Sequence, residues 1–279
     1  MRVFRFISCL SALVLCVSVQ AQDFVWHRYS MDGSRTGVTA PSATNVPEAL
    51  GAVKGGKYYA PNGKVFRGGV TPKIARLLIE AQAPMAFVKE VVGYSPKEMV
   101  SDGPESELSN WQVDLIMAAT EKAAGKKVDI GLTNFGGIRT DMPQGDVLLD
   151  DIMSMFPFEN HLCYVALKGS DVRYLFEQLA RNRIQVVGGV EMTVRGRELV
   201  DLKVGGEPLD DEKVYGLATV DFLLNGGDGI SAARNAIELI TTDVIVFDAV
   251  IEHVRELAAA GEPIAYQKDG RVKILPVEE

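Results

Sequence analysis

Val128-Asp129-Ile130-Gly131-Leu132-Thr133-Asn134-Phe135-Gly136-Gly137-Ile138-Arg139 is the stretch from which the fold of this chain is read. Val128, Ile130 and Leu132 alternate with other residues, which predicts a strand. Asn134-Phe135-Gly136-Gly137 then ends it as a loop. Two glycines after a strand permit close backbone approach to a ligand, and the arginine that follows can fork onto an anion. On its own, such a Gly-Gly turn before a surface arginine is more often structural than ligand-binding.

On either side of this stretch, from about residue 85 on, short apolar runs alternate with amphipathic ones. Residues 88–92 read as a strand. A helix is expected over residues 110–124, capped by Ser106 or Ser109 and buried through Trp111, Leu115 and Ala119. A short helix at residues 150–155 precedes a strand at 162–167. Ser170 is expected to cap a helix carrying Val172, Leu175, Phe176 and Leu179. Strands are expected near 186–194, 198–204 and 213–219. Thr242 should cap a last helix buried through Val246, Val250 and Leu257, and a hairpin-like tail should hold Asp269-Gly270-Arg271. Strands and helices follow one another without a regular βαβ count, so the expected fold is α/β of the α+β type, with packed helices on a mixed sheet.

Upstream, residues 22–84 are rich in turn signals such as Asp32-Gly33-Ser34, Pro61-Asn62-Gly63 and Gly68-Gly69. They read as a loop-rich extension with a linker helix, opened by a Thr71 cap and Pro72 and carrying an apolar face of Ile74, Leu77, Leu78 and Ala81. Residues 1–21 read as a secretory signal peptide. Arg2 and Arg5 precede an apolar run at residues 7–19, and Val19-Gln20-Ala21 fits a cleavage site. The expected division is therefore a leader at 1–21, the extension at 22–84 and one domain at 85–279, in a periplasmic or extracellular protein.

The formal net charge of −8 becomes −10 once Arg2 and Arg5 are removed. An acidic exported chain is ill suited to sequence-independent nucleic-acid binding, which works by phosphate neutralisation. No later run reaches the roughly 18 apolar residues of a membrane span. Removal of Cys9 and Cys16 leaves Cys163 alone, so the fold rests on packing and not on an internal disulfide. There is no Gly-x-Ser-x-Gly and no Gly-x-x-x-x-Gly-Lys-Ser/Thr, which argues against serine-hydrolase and nucleoside-triphosphatase chemistry. Asp150-Asp151 and Asp210-Asp211 read as a helix start and a turn.

Two further loops carry chemistry. Phe156-Pro157-Phe158-Glu159-Asn160 places an amide beside an aromatic, and Asp221-Phe222-Leu223-Leu224-Asn225-Gly226-Gly227-Asp228-Gly229 sets glycines around one carboxylate. In order and spacing, the three loops together resemble the C-terminal, substrate-binding domain of the 5′-nucleotidases. Glu105-Ser106-Glu107-Leu108-Ser109-Asn110 with Asp114, and the tail Asp269-Gly270-Arg271-Val272, resemble the start and end of that domain. The resemblance covers roughly residues 85–275.

The resemblance implies roles residue by residue. Phe158 and Phe222 would sandwich the base, Asn134 and Asn160 would touch it, Asp228 would accept from the ribose hydroxyls, and Arg139 would hold the phosphate. Gly136, Gly137 and Gly227 would let the backbone approach. Two departures stand out. Pro104 occupies the position of a further phosphate-binding arginine, for which Arg35 is a distant substitute, and Glu159 replaces a glycine. Full-length members also have an N-terminal metallophosphoesterase domain holding two metal ions. Here the three histidines, His27, His161 and His253, form no Asp-x-His, and the one Asn-His step, Asn160-His161, belongs to the second loop, so no metal-binding or catalytic residue is expected on this chain.

The resemblance therefore implies the substrate-recognition half of an exported nucleotide hydrolase, whose two divalent metals sit on a separate metallophosphoesterase chain. Its ligand would be a nucleoside monophosphate or related nucleotide. Two alternatives are a non-catalytic nucleotide- or nucleoside-binding protein and a surface module that has lost the pocket.

Overall fold

The computed structural model describes residues 40–277. The expected leader, His27 and Arg35 lie outside the described residues. The chain begins with α1 (Val46–Ala49), β1 (Ala52–Lys54), β2 (Lys57–Tyr59), β3 (Val65–Phe66) and α2 (Thr71–Ala81). Then come β4 (Val91–Ser95), α3 (Glu107–Ala124), β5 (Ile130–Thr133), β6 (Gly145–Leu148), α4 (Leu149–Met155), β7 (His161–Lys168) and α5 (Gly169–Arg181). The last part holds β8 (Val186–Gly188), β9 (Val190–Arg195), β10 (Glu198–Val204), β11 (Glu207–Pro208), β12 (Val214–Val220), β13 (Glu238–Ile245), α6 (Val246–Ala260) and β14 (Val272–Leu275).

The central sheet has the order β13-β7-β12-β5-β8. Only β12 and β5 run parallel, while β7 is antiparallel to both β12 and β13. Every residue of β5 and six consecutive residues of β7 are buried. Such continuous burial requires cover on both faces. α3 packs against β5, β7, β8 and β12, while α5 lies between β7 and β12 of this sheet and β10 of a second one. That second sheet has the order β11-β10-β9-β14. Gly131 marks how closely α3 approaches, because a Cβ there would stand 2.7 Å from both Val113 and Met117. The mixed α/β architecture expected from the sequence is the one observed.

α3 starts at a reciprocal cap. Ser106 Oγ accepts from Ser109 N at 3.1 Å, and Ser109 Oγ accepts from Ser106 N at 2.9 Å. The helix ends at Gly125, with φ of 64°.

Several local expectations are corrected. Residues 86–89 form a single 3-10 turn, and the strand begins only at Val91. Val70 caps α2 where Thr71 was expected, and Lys168 caps α5 in place of Ser170. A Cβ at Gly169 would lie 1.9 Å from the Asp210 carbonyl oxygen, so this crossing starts the helix on a glycine ahead of the serine. Thr242 belongs to β13, where its hydroxyl donates to Leu162 O at 3.0 Å beside a register shift, and Ile245 caps α6. The tail is no hairpin, because β14 pairs in parallel with β9.

The upstream segment expected to be loop-rich contains a three-stranded sheet, β1-β2-β3. α2 turns Pro72 and Ala75 inward, whereas Ile74, Leu77 and Leu78 are 49%, 63% and 48% exposed. A sheet of two- and three-residue strands offers little area on which an eleven-residue helix can bury its wider apolar face. No helix among the described residues is long and apolar enough to cross a membrane.

The chain end is fastened to α3 by a buried arginine. Arg271 is 7% exposed and donates to both Asp114 oxygens at 2.9 Å, to Asp269 Oδ2 at 2.7 Å and to Val187 O at 3.2 Å. Tyr266 Oη donates to Asp114 Oδ2 at 2.6 Å. Glu105 Oε1 accepts from Asn110 Nδ2 and from the backbone N–H groups of Asp269 and Gly270. Removing the arginine would take away hydrogen bonds to two partly exposed carboxylates, Asp114 keeping its bond from Tyr266, so Arg271→Met should lower unfolding stability by about 2 kcal/mol in urea titration. A loss within error of zero would show that the tail is not held this way.

Burial, followed by the bond to Asp114, pushes the Tyr266 phenol from an ordinary value near 10 up to about 12. A raised pKa favours the neutral phenol in the folded chain. Its contribution is therefore complete below pH 10 and is lost as pH climbs from 10 to about 12. Tyr266→Phe should flatten the fall in stability across that window, and an unchanged profile would show that Tyr266 ionises normally.

Candidate functional site

The sheet order brings the three sequence loops together. β5 and β12 are neighbouring parallel strands, with Ile130 opposite Leu217 and Gly131 opposite Ala218, so the loops that follow them leave the sheet side by side. β7 runs antiparallel to β12, with Leu162 opposite Val220, so the loop that precedes β7 arrives at the same edge. Ligands of α/β sheets commonly bind at such carboxyl ends of parallel strands.

A short hydrogen bond joins the first loop to the third. Asn134, 6% exposed, donates from Nδ2 to Asp228 Oδ2 at 2.7 Å across 94 residues of sequence. Gly136 and Gly137 make room for this pair. A Cβ at Gly136 would sit 3.3 Å from Asn134 Nδ2, and one at Gly137 would sit 3.0 Å from Asn134 Oδ1. Asp228 adopts φ of 51°, in the left-handed region that costs a non-glycine residue free energy and is often retained at functional sites. Gly227 is required by its own loop, since a Cβ there would fall 2.0 Å from the Phe222 carbonyl oxygen and 2.9 Å from its ring.

A narrow crevice of about 10 Å³ brings Asn134, Gly137, Phe158 and Asn160 to one place, with Gln112 and Val246 also in its wall. Phe158 and Phe222 are 44% and 46% exposed, a large apolar exposure for two loop aromatics, and make no ring contact with each other among the described residues. Arg139 is held by its backbone N–H to Met155 O at 3.0 Å, and its Nη1 donates to Gly136 O at 3.2 Å. Its guanidinium carbon lies 5.8 Å from the Phe158 ring centroid, which places a cation over a ring face. Glu159 is exposed at the tip of the second loop.

Two supporting side chains, Gln112 and Gln185, escaped the sequence reading, and Glu105 was read there without its bonds to the tail. Gln112 Oε1 accepts from Thr133 Oγ1 at 2.8 Å, Gln185 Oε1 accepts from Phe135 N at 3.1 Å, and Glu105 ties the start of α3 to the tail. The usable signal for Gln112 was a polar residue on the buried side of a helix. Pro104 is exposed, and the Phe135 ring lies 3.6 Å from where a Cβ on the preceding Gly103 would be.

The remaining candidates are engaged elsewhere. His161 Nδ1 lies 3.0 Å from the Thr242 carbonyl oxygen, and His253 packs beside Trp111 with centroids 6.2 Å apart. Burial pushes the Cys163 thiol above its usual range, which suppresses the thiolate. Asp114 serves the tail and not the crevice. The residues of the site do not fit a dinuclear metal centre. Its donors are amides and one carboxylate beside an arginine, and no group of three or more His, Cys, Asp or Glu among the described residues could hold an ion.

Comparison with known proteins agrees with this fold. The model of the 5′-nucleotidase C-terminal domain matches residues 88–235. Cell wall protein Lmo0130 of Listeria monocytogenes is 30% identical over 211 residues, covering 66% of this chain and 27% of its own. Protein UshA of Yersinia enterocolitica is 27% identical over 163 residues, covering 57% and 29%. The crystal structure of a 5′-nucleotidase precursor from Thermus thermophilus superposes with a TM-score of 0.64 at 25% identity, covering 77% of this chain and 45% of that one. This chain thus spans less than half the length of each of these three relatives. Over more than half of its own length it belongs to the 5′-nucleotidase family, as a carrier of that family's C-terminal domain.

Proposed function

We propose that this chain is the substrate-recognition part of an exported 5′-nucleotidase-type hydrolase. The observation that carries the reading is the Asn134–Asp228 hydrogen bond at the shared edge of β5, β12 and β7, around which the three loops converge. Phe158 and Phe222 supply exposed ring faces for a base, and stacking on such faces tolerates any base. Asn134 and Asn160 offer amide edges that match donor and acceptor together. Asp228 Oδ1, left open while Oδ2 is bonded to Asn134, accepts from ribose hydroxyls. Arg139 then swings from its place over Phe158 to grip the 5′-phosphate with charge-assisted bonds.

In this reading the chain binds and orients the nucleotide but does not cleave it. Phosphoryl transfer in this chemistry is served by two divalent metals that clamp the attacking and leaving oxygens. A separate metallophosphoesterase chain supplies them. Export is supported by the leader-like residues 1–21 and by similarity to a cell wall protein.

A second reading, a non-catalytic nucleoside- or nucleotide-binding protein, is favoured by the charge at the phosphate end. Arg139 is the one basic residue in the three loops, Glu159, Asp221 and Asp228 add acid, and Pro104 adds no cation.

Phe222→Ala should weaken AMP binding by roughly 1–3 kcal/mol through lost stacking, measured by equilibrium dialysis in chelator. Unchanged affinity would remove Phe222 from the site. Arg139→Ala should penalise AMP by about 1.5–3 kcal/mol more than adenosine, the worth of hydrogen bonds to a charged group. Equal penalties would show that Arg139 does not meet phosphate and would favour the second reading.

A further inference from the structure

Gln112 is an amide where packing alone calls for an apolar side chain. Leu108 to Val113 are all buried in the first turns of α3, and Gln112 is 3% exposed among them. A buried amide costs free energy for each polar atom left without a partner. Its Oε1 is served by the Thr133 hydroxyl at 2.8 Å, yet no hydrogen bond engages its Nε2 among the described residues. Nor is that nitrogen sealed in the core, since Thr120 and Thr219 hold the only sealed and unpartnered side-chain polar atoms among the described residues. Gln112 instead forms part of the wall of the crevice that holds Asn134 and Asn160.

Asn134 has the opposite polarity. Its Nδ2 is spent on Asp228, and its Oδ1 accepts no hydrogen bond among the described residues. The crevice therefore presents one open donor, from Gln112, and one open acceptor, from Asn134, each oriented by the bond its other atom makes. About 10 Å³ leaves room for one water or one small polar group. Asn134 is bonded directly to Asp228, the carboxylate read as meeting the ribose. The base edge nearest to it is then the edge beside the glycosidic bond. There every base carries an acceptor, N3 in purines or O2 in pyrimidines, and guanine alone adds a donor, its 2-amino group.

We propose that Gln112 is a specificity-determining residue of the nucleotide site, donating from Nε2 to purine N3 while the 2-amino group of guanine enters the crevice and donates to Asn134 Oδ1. The proposal rests on the reading that Asp228 meets the ribose hydroxyls. The favoured ligands are guanine nucleosides and nucleotides. Stacking on Phe158 and Phe222 still admits other bases. Adenine and hypoxanthine, however, leave the Asn134 acceptor unmet, and a polar group desolvated without a partner weakens binding.

The test is calorimetric titration of the purified chain, in chelator, with guanosine, inosine and 3-deazaguanosine. Inosine lacks only the 2-amino group, and 3-deazaguanosine carries a carbon in place of N3. Guanosine should bind about tenfold tighter than either. In Gln112→Leu the gap between guanosine and 3-deazaguanosine should close, because guanosine weakens while 3-deazaguanosine holds its affinity. Gln112→Glu keeps an oxygen for the Thr133 hydroxyl and puts an acceptor where the donor stood. It should close the same gap, and it serves if the first variant does not fold. Equal weakening of both ligands would mean that Gln112 only packs, and overturns the proposal. Guanosine that gains nothing over inosine or over 3-deazaguanosine, or a 3-deazaguanosine gap that survives in a folded variant, overturns it as well while leaving the nucleoside site standing. Failure of all three nucleosides and of AMP to bind overturns the nucleotide reading, and the role of Gln112 with it.

Discussion

The site depends on one constraint, the parallel pairing of β5 with β12. This pairing aims two loops, from opposite halves of the domain, out of the sheet at the same point. Antiparallel pairing would have sent the Asn134 loop and the Asp228 loop to opposite edges. With the strands in this register, a 2.7 Å bond between an amide and a carboxylate closes the gap, and the surrounding glycines are explained by the space it needs. The left-handed backbone of Asp228 is a local cost that the rest of the loop sustains. The close packing of α3 on β5, which leaves no room for a side chain at Gly131, fixes the strand that carries Asn134.

Much of this was legible before any coordinates. The three loops were recognisable because glycines, amides and aromatics stand together in short runs, and the expected mixed sheet follows from strands and helices that alternate irregularly. The Ser106 cap was legible for the same reason, since a hydroxyl three residues ahead of its partner is a local signal. What escaped the reading depends on distant partners. Thr242 looks like a helix cap by composition, yet its hydroxyl is taken by Leu162 O across the sheet. Gln112 and Gln185 are ordinary residue types whose value lies in where β5 and its loop pass them. The parallel addition of β14 to β9 likewise has no marker in the tail itself.

The tail shows how the domain secures its own boundary. Arg271 lies 157 residues from Asp114 in sequence, yet it donates to both of that carboxylate's oxygens, and Glu105 caps the same junction with three accepted bonds. Asp114 lies in α3, an early helix of the domain, and Arg271 lies near its end, so one buried cation links the two. The helix α3 held by this junction is the helix that supports β5. The tail junction and the strand behind the crevice thus share a single packed element.

The central claim is that nucleotide recognition is complete on this chain without metal or partner. Calorimetric titration of the purified wild-type chain with AMP, in chelator, tests it most directly. The account predicts saturable binding with one nucleotide per chain. The absence of binding heat across several temperatures, with the chain folded, would contradict it.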